Sequence, residues 1–202
     1  MSNMNDKAFR ILSSFYPPVI KFLEEKDPFR FLISVILSAQ TTDKKVNEVA
    51  KVLFKQYPDA LALSKAEVKE VEKIVHPLGF YSMKARNIIA TSALITEEIP
   101  TTIDALITLP GVGRKTASCF IGDILHQPSV IVDTHFKRVA NKLGYATTDN
   151  PETVEKQIKA TFLKEDWYRL SMVLNMHGRV YCFARKPNCA NCPVRENCPS
   201  AE

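Results

Sequence analysis

The sequence contains no long apolar run, no low-complexity tract and no internal repeat. No segment approaches the roughly 18 consecutive apolar residues that a membrane-spanning helix requires, so we expect no membrane partner. The N-terminal region carries Asp6, Lys7 and Arg10 without the apolar stretch of a secretory signal peptide, which predicts an intracellular, cytoplasmic protein. The five cysteines of a chain in that reducing compartment indicate metal or thiol chemistry rather than disulfide bonds.

The composition is that of an ordinary globular protein with a small excess of positive charge. Apolar residues make up 46% of the 202 residues, which is enough for a packed core. The 27 lysines and arginines against 22 aspartates and glutamates give a net charge of +5. This charge fits a polyanionic partner, but an unrelated basic enzyme would fit it equally well.

Helical periodicity dominates the chain, and strand-like runs are short, so we predict an all-α fold. Thr42 and Asn150 are predicted N-caps, and Ser64 with Glu67 forms a predicted capping box. We predict two helical lobes that flank a cleft. The first is a six-helix lobe over residues 18–127, and the second combines residues 1–17 with 128–202.

A tight turn containing Pro110, Gly111 and Gly113 precedes a helix that starts near Arg114. Glycine tolerates positive φ and allows another backbone to come close. A turn of this kind at a helix N-terminus directs several backbone N–H groups at one point, which suits a phosphate. Lys115 lies on the first turn of the helix, beside this predicted anion site.

Asp133 follows an apolar Val-Ile-Val stretch and precedes Thr134 and His135. An amine at Lys115 and a carboxylate at Asp133, brought together at the cleft, would suit chemistry on the sugar of a nucleic acid. Taken separately, each residue has an ordinary alternative. A lone lysine is usually a surface charge, and Asp133 is also a good helix N-cap.

Four cysteines with the spacing C-x6-C-x2-C-x5-C lie near the C-terminus, between residues 182 and 198. The cysteines are Cys182, Cys189, Cys192 and Cys198. Four thiolates within so short a segment predict a four-point metal site, and the spacing alone leaves zinc and an iron–sulfur cluster open. Arg185 and Lys186 in this loop could contact phosphates or could simply be a solvated basic surface. Cys119, in mid-helix, is predicted to pack in the core.

Residues 109–117 resemble the helix-hairpin-helix element of the endonuclease III family of DNA glycosylases, which would lie at about residues 104–122 here. Residues 132–135 resemble that family's second motif, and the resemblance extends from about residue 28 to 198. It implies a two-lobed all-helical fold and a 4Fe-4S cluster on the four cysteines. The implied partner is double-stranded DNA containing a damaged pyrimidine or an abasic site, bound by a monomer located with the chromosome.

The same resemblance assigns roles to individual residues. It makes Lys115 the nucleophile and Asp133 the acid that assists it, and it points to the branch that cuts the strand as well as removing a base. His135 would position groups rather than act as the base. The implied DNA contacts are Gln40, Thr41, Leu78, Phe80, Gly111, Gly113, Arg114, His135, Arg185 and Lys186.

Two of these contacts would fill the gap that a flipped base leaves. Gln40 matches the loop from which the family inserts a glutamine, although it could also be an ordinary polar loop residue. Phe80 stands where a leucine is found in the family, and a phenylalanine can still wedge or stack between bases. Core packing is the alternative for Phe80. The departure affects the preference for the opposite base rather than the class of activity.

Three other functions compete with a glycosylase and lyase for damaged pyrimidines. One is a glycosylase for mismatched or alkylated bases. Another is a non-catalytic DNA-binding module, which would need a cation at Lys115 but no carboxylate at Asp133. A third is a metal- or redox-sensing regulator built on the cysteines, which would need neither Gln40 nor Lys115.

Overall fold

The computed structural model describes residues 4–201, with side chains described from residue 7. Within that range all regular secondary structure is helical, so the predicted all-α class is confirmed. The chain folds into two compact units, a middle unit, Lys21–His126, and a terminal unit, Met1–Ile20 with Gln127–Glu202. The boundaries between the predicted lobes lie at residues 17/18 and 127/128. Residues 1–3 and 202 of the predicted second lobe lie outside the described range. Among the described helices, none combines the length and apolar character needed to cross a membrane.

The middle unit contains seven α-helical segments where the sequence predicts six helices. They are α2 (Pro28–Leu37), α3 (Asp43–Gln56), α4 (Ala60–Ser64), α5 (Val68–Val75), α6 (Tyr81–Leu94), α7 (Ile103–Leu106) and α8 (Arg114–Asp123). A 3₁₀ turn, His76–Leu78, connects α5 to the loop before α6. Helix α2 is the centre of this unit, because seven of its ten residues are buried hydrophobics. Its lack of polar alternation thus reflects burial on all sides.

Local side-chain caps fix where several of these helices begin. Thr42 caps α3 by accepting from the Lys45 backbone N–H at 3.4 Å, as predicted. The predicted capping box is wrong. Ser64 ends α4, and its hydroxyl donates to the Leu61 carbonyl at 2.9 Å. Glu67 is itself the N-cap of α5, without a side-chain bond, so the two residues belong to different helices.

The described part of the terminal unit contains four α-helices and the cysteine loop. Its helices are α1 (Met4–Phe15), α9 (Thr134–Lys142), α10 (Pro151–Thr161) and α11 (Trp167–Val180). Asn150 caps α10 as predicted, accepting from the Thr153 N–H at 3.0 Å ahead of Pro151. Helix α11 is buried along most of its length and packs against both α9 and α1.

Arg169 on α11 ties the end of α1 to this helix. Its guanidinium donates to the carbonyls of Ser13 and Pro17 at 2.7 Å and of Tyr16 at 2.9 Å. These carbonyls lie where α1 ends and have no helical partner of their own. One side chain therefore satisfies the C-terminus of α1 and fixes the N-terminal segment on the unit that carries Asp133 and the cysteines.

Candidate functional site

The turn between α7 and α8 is held by buried side chains and hydrogen bonds on one side and is exposed on the other. Leu109 and Val112 are buried, and the Val112 N–H donates to the Leu109 carbonyl at 3.0 Å. The hydroxyl of Thr91 on α6 donates to the Pro110 carbonyl at 2.8 Å. Gly111 adopts φ +78°, and a Cβ there would lie 2.8 Å from Asn87 Nδ2. Both the backbone angle and the close neighbour require glycine at this position.

Gly113 is the N-cap of α8 and has a different role from Gly111. A Cβ at Gly113 would meet no atom within 4 Å, and the residue offers no side chain to cap the helix. The first turn of α8 therefore faces an open surface, beside the exposed side chains of Arg114 and Lys115. The N-terminus of a ten-residue helix that has no side-chain cap, with two adjacent cations, is well suited to bind an anion.

Left-handed backbone marks several of the predicted DNA contacts. Among the described residues, four non-glycine positions have positive φ: Gln40 (55°), Phe80 (48°), His126 (52°) and Lys186 (52°). Three of these four were predicted as DNA contacts from the sequence. Non-glycine residues in this region carry backbone strain, and such strain concentrates at binding sites. Gln40, Phe80 and Lys186 are all exposed, and Thr41 beside Gln40 is half-buried.

The loop before α6 presents Phe80 and buries Leu78. Phe80 is 59% exposed, so the alternative of core packing is wrong for this residue. Leu78 is 2% exposed and belongs to the hydrophobic core, so its predicted side-chain contact with DNA is not available in this structure. The ammonium of buried Lys84 donates to the Leu78 carbonyl at 3.0 Å, and burial lowers the pKa of Lys84. Leu78 and Lys84 together anchor the loop that carries Phe80.

Asp133 is the N-cap of α9, and both of its carboxylate oxygens accept hydrogen bonds. Oδ1 accepts from the Phe136 backbone N–H at 2.7 Å. Oδ2 accepts a hydrogen bond from the side-chain amide of Asn175 on α11. The segment that leads to Asp133 is also fixed to α11, because the Ile131 N–H donates to the Ser171 hydroxyl at 2.9 Å. The side chain is half-buried, so it is fixed without being sealed from solvent.

Asn175 was not predicted from the sequence. It is 7% exposed and follows Val173 and Leu174 on the apolar side of α11. Arg179, one turn later, donates from Nε to Asn175 Oδ1 at 2.7 Å. A polar residue within a buried apolar stretch was the available signal, since such a side chain needs a partner. The sequence could not identify that partner.

His135 is held by Arg138 in one tautomer. Arg138 Nη2 lies 3.2 Å from His135 Nδ1 and donates to the Gly178 carbonyl at 2.8 Å. Because a guanidinium can only donate, His135 Nδ1 accepts, and the ring proton of the neutral imidazole is on Nε2. Arg138 Nε also donates to the Cys182 carbonyl at 2.9 Å, so the first turn of α9 and the start of the cysteine loop share one side chain.

The four cysteines of the C-terminal loop line one pocket. The empty volume of this pocket is about 460 Å³, part of it open to solvent, and its walls are largely apolar. All four thiols are half-buried, and burial raises the pKa of Cys182 and Cys192. Cys119 belongs to the middle unit, where it packs against the hydrophobic core as predicted.

His177 also lines the pocket, between Tyr16 and Cys192. The Tyr16 hydroxyl lies 3.0 Å from His177 Nδ1, and His177 Nε2 lies 3.4 Å from Cys192 Sγ. Burial raises the pKa of Tyr16 and lowers the pKa of His177 to about 4, so both groups are neutral. Tyr16 then donates to Nδ1, and the Nε2–H points to the sulfur.

Comparison with known proteins relates this arrangement to a family. A family model described as HhH-GPD superfamily base excision DNA repair protein matches residues 33–162. Endonuclease III of Synechocystis sp. is 39% identical over 197 residues, covering 95% of this chain and 90% of the relative. Endonuclease III of Escherichia coli K12 is 36% identical over 184 residues, covering 89% and 87%.

Solved structures that resemble this chain include proteins of the same name as these sequence relatives. A trapped endonuclease III–DNA covalent intermediate matches with a TM-score of 0.92 at 33% identity, covering 100% of this chain and 98% of the other. A non-covalent endonuclease III–DNA complex matches with a TM-score of 0.91, also at 33% identity, covering 100% and 97%.

The matched model defines the class, that of base excision DNA repair proteins with a helix-hairpin-helix. Within that class, the chain belongs to the endonuclease III family. The predicted family, the all-helical fold and the enzyme class are therefore confirmed. Lys115 and Asp133 belong to different units, and their meeting at one nucleotide stays a prediction.

Proposed function

We propose that this chain is a bifunctional DNA glycosylase and abasic-site lyase that removes damaged pyrimidines from duplex DNA. The observation that carries the proposal is the exposed Lys115 amine on the first turn of α8, a helix whose N-cap, Gly113, offers no side chain to cap it. A phosphate bound at this helix terminus would bring the neighbouring sugar within reach of the amine.

Lys115 supplies the nucleophile. Its neutral amine attacks C1′ of the deoxyribose, the bond from C1′ to the base breaks, and the base leaves with a proton. The nitrogen lone pair then forms a Schiff base with C1′ as the C1′–O4′ bond breaks, and O4′ takes up a proton. Loss of a proton from C2′ expels the 3′ phosphate by β-elimination and cuts the strand. Water finally hydrolyses the Schiff base and regenerates the lysine.

Asp133 supplies negative charge where the sugar becomes positive. A carboxylate fixed by two hydrogen bonds needs no reorganisation when that charge develops, and this preorganisation lowers the barrier. Each carboxylate oxygen keeps a second acceptor position for the substrate or for a proton in transit.

The enzyme can reach a damaged base only if that base leaves the stack of bases in the DNA duplex. Gln40 and Phe80 are exposed side chains on left-handed backbone, and we assign them to the space that the flipped nucleotide leaves. Arg114, Arg185 and Lys186 are exposed cations that would contact the phosphate backbone.

The four cysteines would hold a 4Fe-4S cluster, in keeping with the family. When bound, the cluster would supply four iron–thiolate bonds that cross-link a loop with little core of its own. Among the described residues, no three histidine, cysteine or acidic side chains are close enough to hold a single metal ion. Tetrahedral zinc needs its thiolates within about 4 Å of one another, so four thiols spread around one pocket fit a larger cluster better.

The central test is borohydride trapping on DNA with a single abasic site. The wild-type protein should form a covalent adduct, because borohydride reduces the Schiff base to a stable amine. Lys115→Arg keeps the positive charge but should give no adduct. Arg114→Gln removes the neighbouring cation, and it should bind DNA more weakly while still forming the adduct at saturating protein.

An adduct from Lys115→Arg would overturn the assignment of the nucleophile. The cofactor has a separate test in the metal content of the purified protein. About four irons with matching acid-labile sulfide are expected per chain, and stoichiometric zinc without iron would contradict the cluster.

A further inference from the structure

Three polar residues form a stripe along α11, a helix that is largely buried. Ser171, Asn175 and Arg179 follow one another at intervals of four residues and therefore lie on one face. Ser171 is 1% exposed and Asn175 is 7% exposed. Burying polar groups is costly unless they are paired, and the first two of these residues pair with the segment that ends at Asp133.

We propose that Asn175 is a positioning residue for the Asp133 carboxylate, and that Arg179 sets the orientation of its amide. This inference rests on the proposed role of Asp133. The backbone N–H of Phe136 fixes only Oδ1, and that single bond leaves the carboxylate free to rotate about it. The amide N–H of Asn175 fixes Oδ2 and removes this freedom.

The direction of the Asn175 amide follows from its other neighbour. Arg179 Nε can only donate, so the atom of Asn175 that it meets at 2.7 Å is the carbonyl oxygen. The NH₂ group is then turned towards Asp133, which as a carboxylate can only accept. If the amide were flipped, it would set oxygen against carboxylate and N–H against guanidinium. Arg179 thereby makes Asn175 an obligate donor.

Asn175→Leu removes the donor while keeping the branched shape and the number of side-chain heavy atoms. We expect its single-turnover rate on abasic-site DNA to fall by about 10- to 100-fold, because misplacing a catalytic group costs up to about 10²-fold. DNA affinity should change less than threefold, since Asn175 is buried. Asn175→Asp keeps the size and the acceptor for Arg179 but loses the N–H, and its rate should fall at least as far.

Asn141 offers a matched control within the same unit. Its amide donates to the carbonyls of Lys137 and Thr148 at 2.9 and 3.0 Å, so it is a structural amide without contact to Asp133. Asn141→Leu should lower the melting temperature but keep the wild-type single-turnover rate at 25 °C. Arg179→Met should slow the reaction less than Asn175→Leu, because the amide can still adopt the donating orientation part of the time.

The outcomes separate this inference from the proposed function. If wild-type protein forms no borohydride adduct, the proposed function is wrong. If the wild type forms it and Asn175→Leu reacts at the wild-type rate, only the positioning role is wrong. A rate loss in Asn141→Leu as large as that in Asn175→Leu would also overturn the positioning role, because it would reduce the effect to general destabilisation.

Discussion

The hairpin turn of the middle unit and the Asp133 site of the terminal unit are held in place by different means. The turn depends on backbone angle and close fit, with Gly111 pressed against Asn87 and Ile36. The Asp133 carboxylate depends on donors, one from its own helix and one from a residue 42 positions later. The first site should therefore be sensitive to added volume, and the second to lost hydrogen bonds.

The largest effect on stability is expected for Gly111→Ala. A non-glycine residue at φ +78° is strained, and its Cβ would lie 2.8 Å from Asn87 Nδ2. We expect a loss of about 2–4 kcal/mol in the free energy of unfolding from the sum of strain and overpacking. Urea denaturation measures this loss, and a change below about 0.5 kcal/mol would show that the turn is not held by fit.

Gly113→Ala, two residues later, should hardly change stability but should weaken DNA binding. Its Cβ meets nothing within 4 Å, so unfolding should change by less than about 0.5 kcal/mol. Affinity for duplex DNA should fall about tenfold, because the methyl group obstructs one charge-assisted hydrogen bond to phosphate. A fluorescence anisotropy titration at fixed salt tests this. Unchanged affinity would show that the N-terminus of α8 is not part of the DNA-binding surface.

Gly178→Ala extends the comparison to the terminal unit. Helix propensity alone favours alanine over glycine by about 1 kcal/mol. The new Cβ would, however, lie 2.9 Å from His135 Cβ, where α11 crosses α9. We expect a net loss of about 1 kcal/mol because overpacking outweighs propensity. Thermal unfolding would contradict this if the variant melted above the wild type.

Lys84→Met in the middle unit is expected to change stability less than Gly111→Ala or Gly178→Ala. Losing the hydrogen bond to Leu78 is offset by removing a desolvated cation, so stability should change by less than about 1 kcal/mol. The loop that carries Phe80 loses its anchor, and ordering it on DNA should cost about 0.5–1.5 kcal/mol in affinity. Lys73→Met, which removes an exposed lysine paired with Glu70, should leave DNA binding unchanged.

The sequence predicted hydrogen bonds correctly where a residue bonds to its near neighbours in the chain. Thr42, Asn150 and Asp133 cap helices by bonding three residues ahead, so spacing alone predicts them. The Ser64–Glu67 pair had the same spacing and failed, because Ser64 bonds back to its own helix and ends it. Local patterns thus identify caps only when the next helix really starts there.

Contacts between distant parts of the sequence were not readable. Asn175 reaches Asp133, and Arg138 reaches Cys182, across more than 40 positions of the chain. The residues around Asn175 and Arg138 give no indication of these partners, since both bonds arise from the tertiary packing of α9 on α11. Leu78 shows the same limit in reverse. The resemblance implied a DNA contact for it, yet Leu78 ends the 3₁₀ turn His76–Leu78 and is buried, and the positive φ of Gly79 and Phe80 turns the chain after it.

The left-handed backbone at Gln40 and Phe80 has a consequence for how DNA is searched. Both side chains are exposed in the structure without DNA. In the role proposed for them, the protein would not wait for a loop to rearrange at each base pair it passes, and the time spent there would be set by how readily the duplex opens. Damaged bases, whose pairing and stacking are weakened, open most readily and would hold the sliding protein longest.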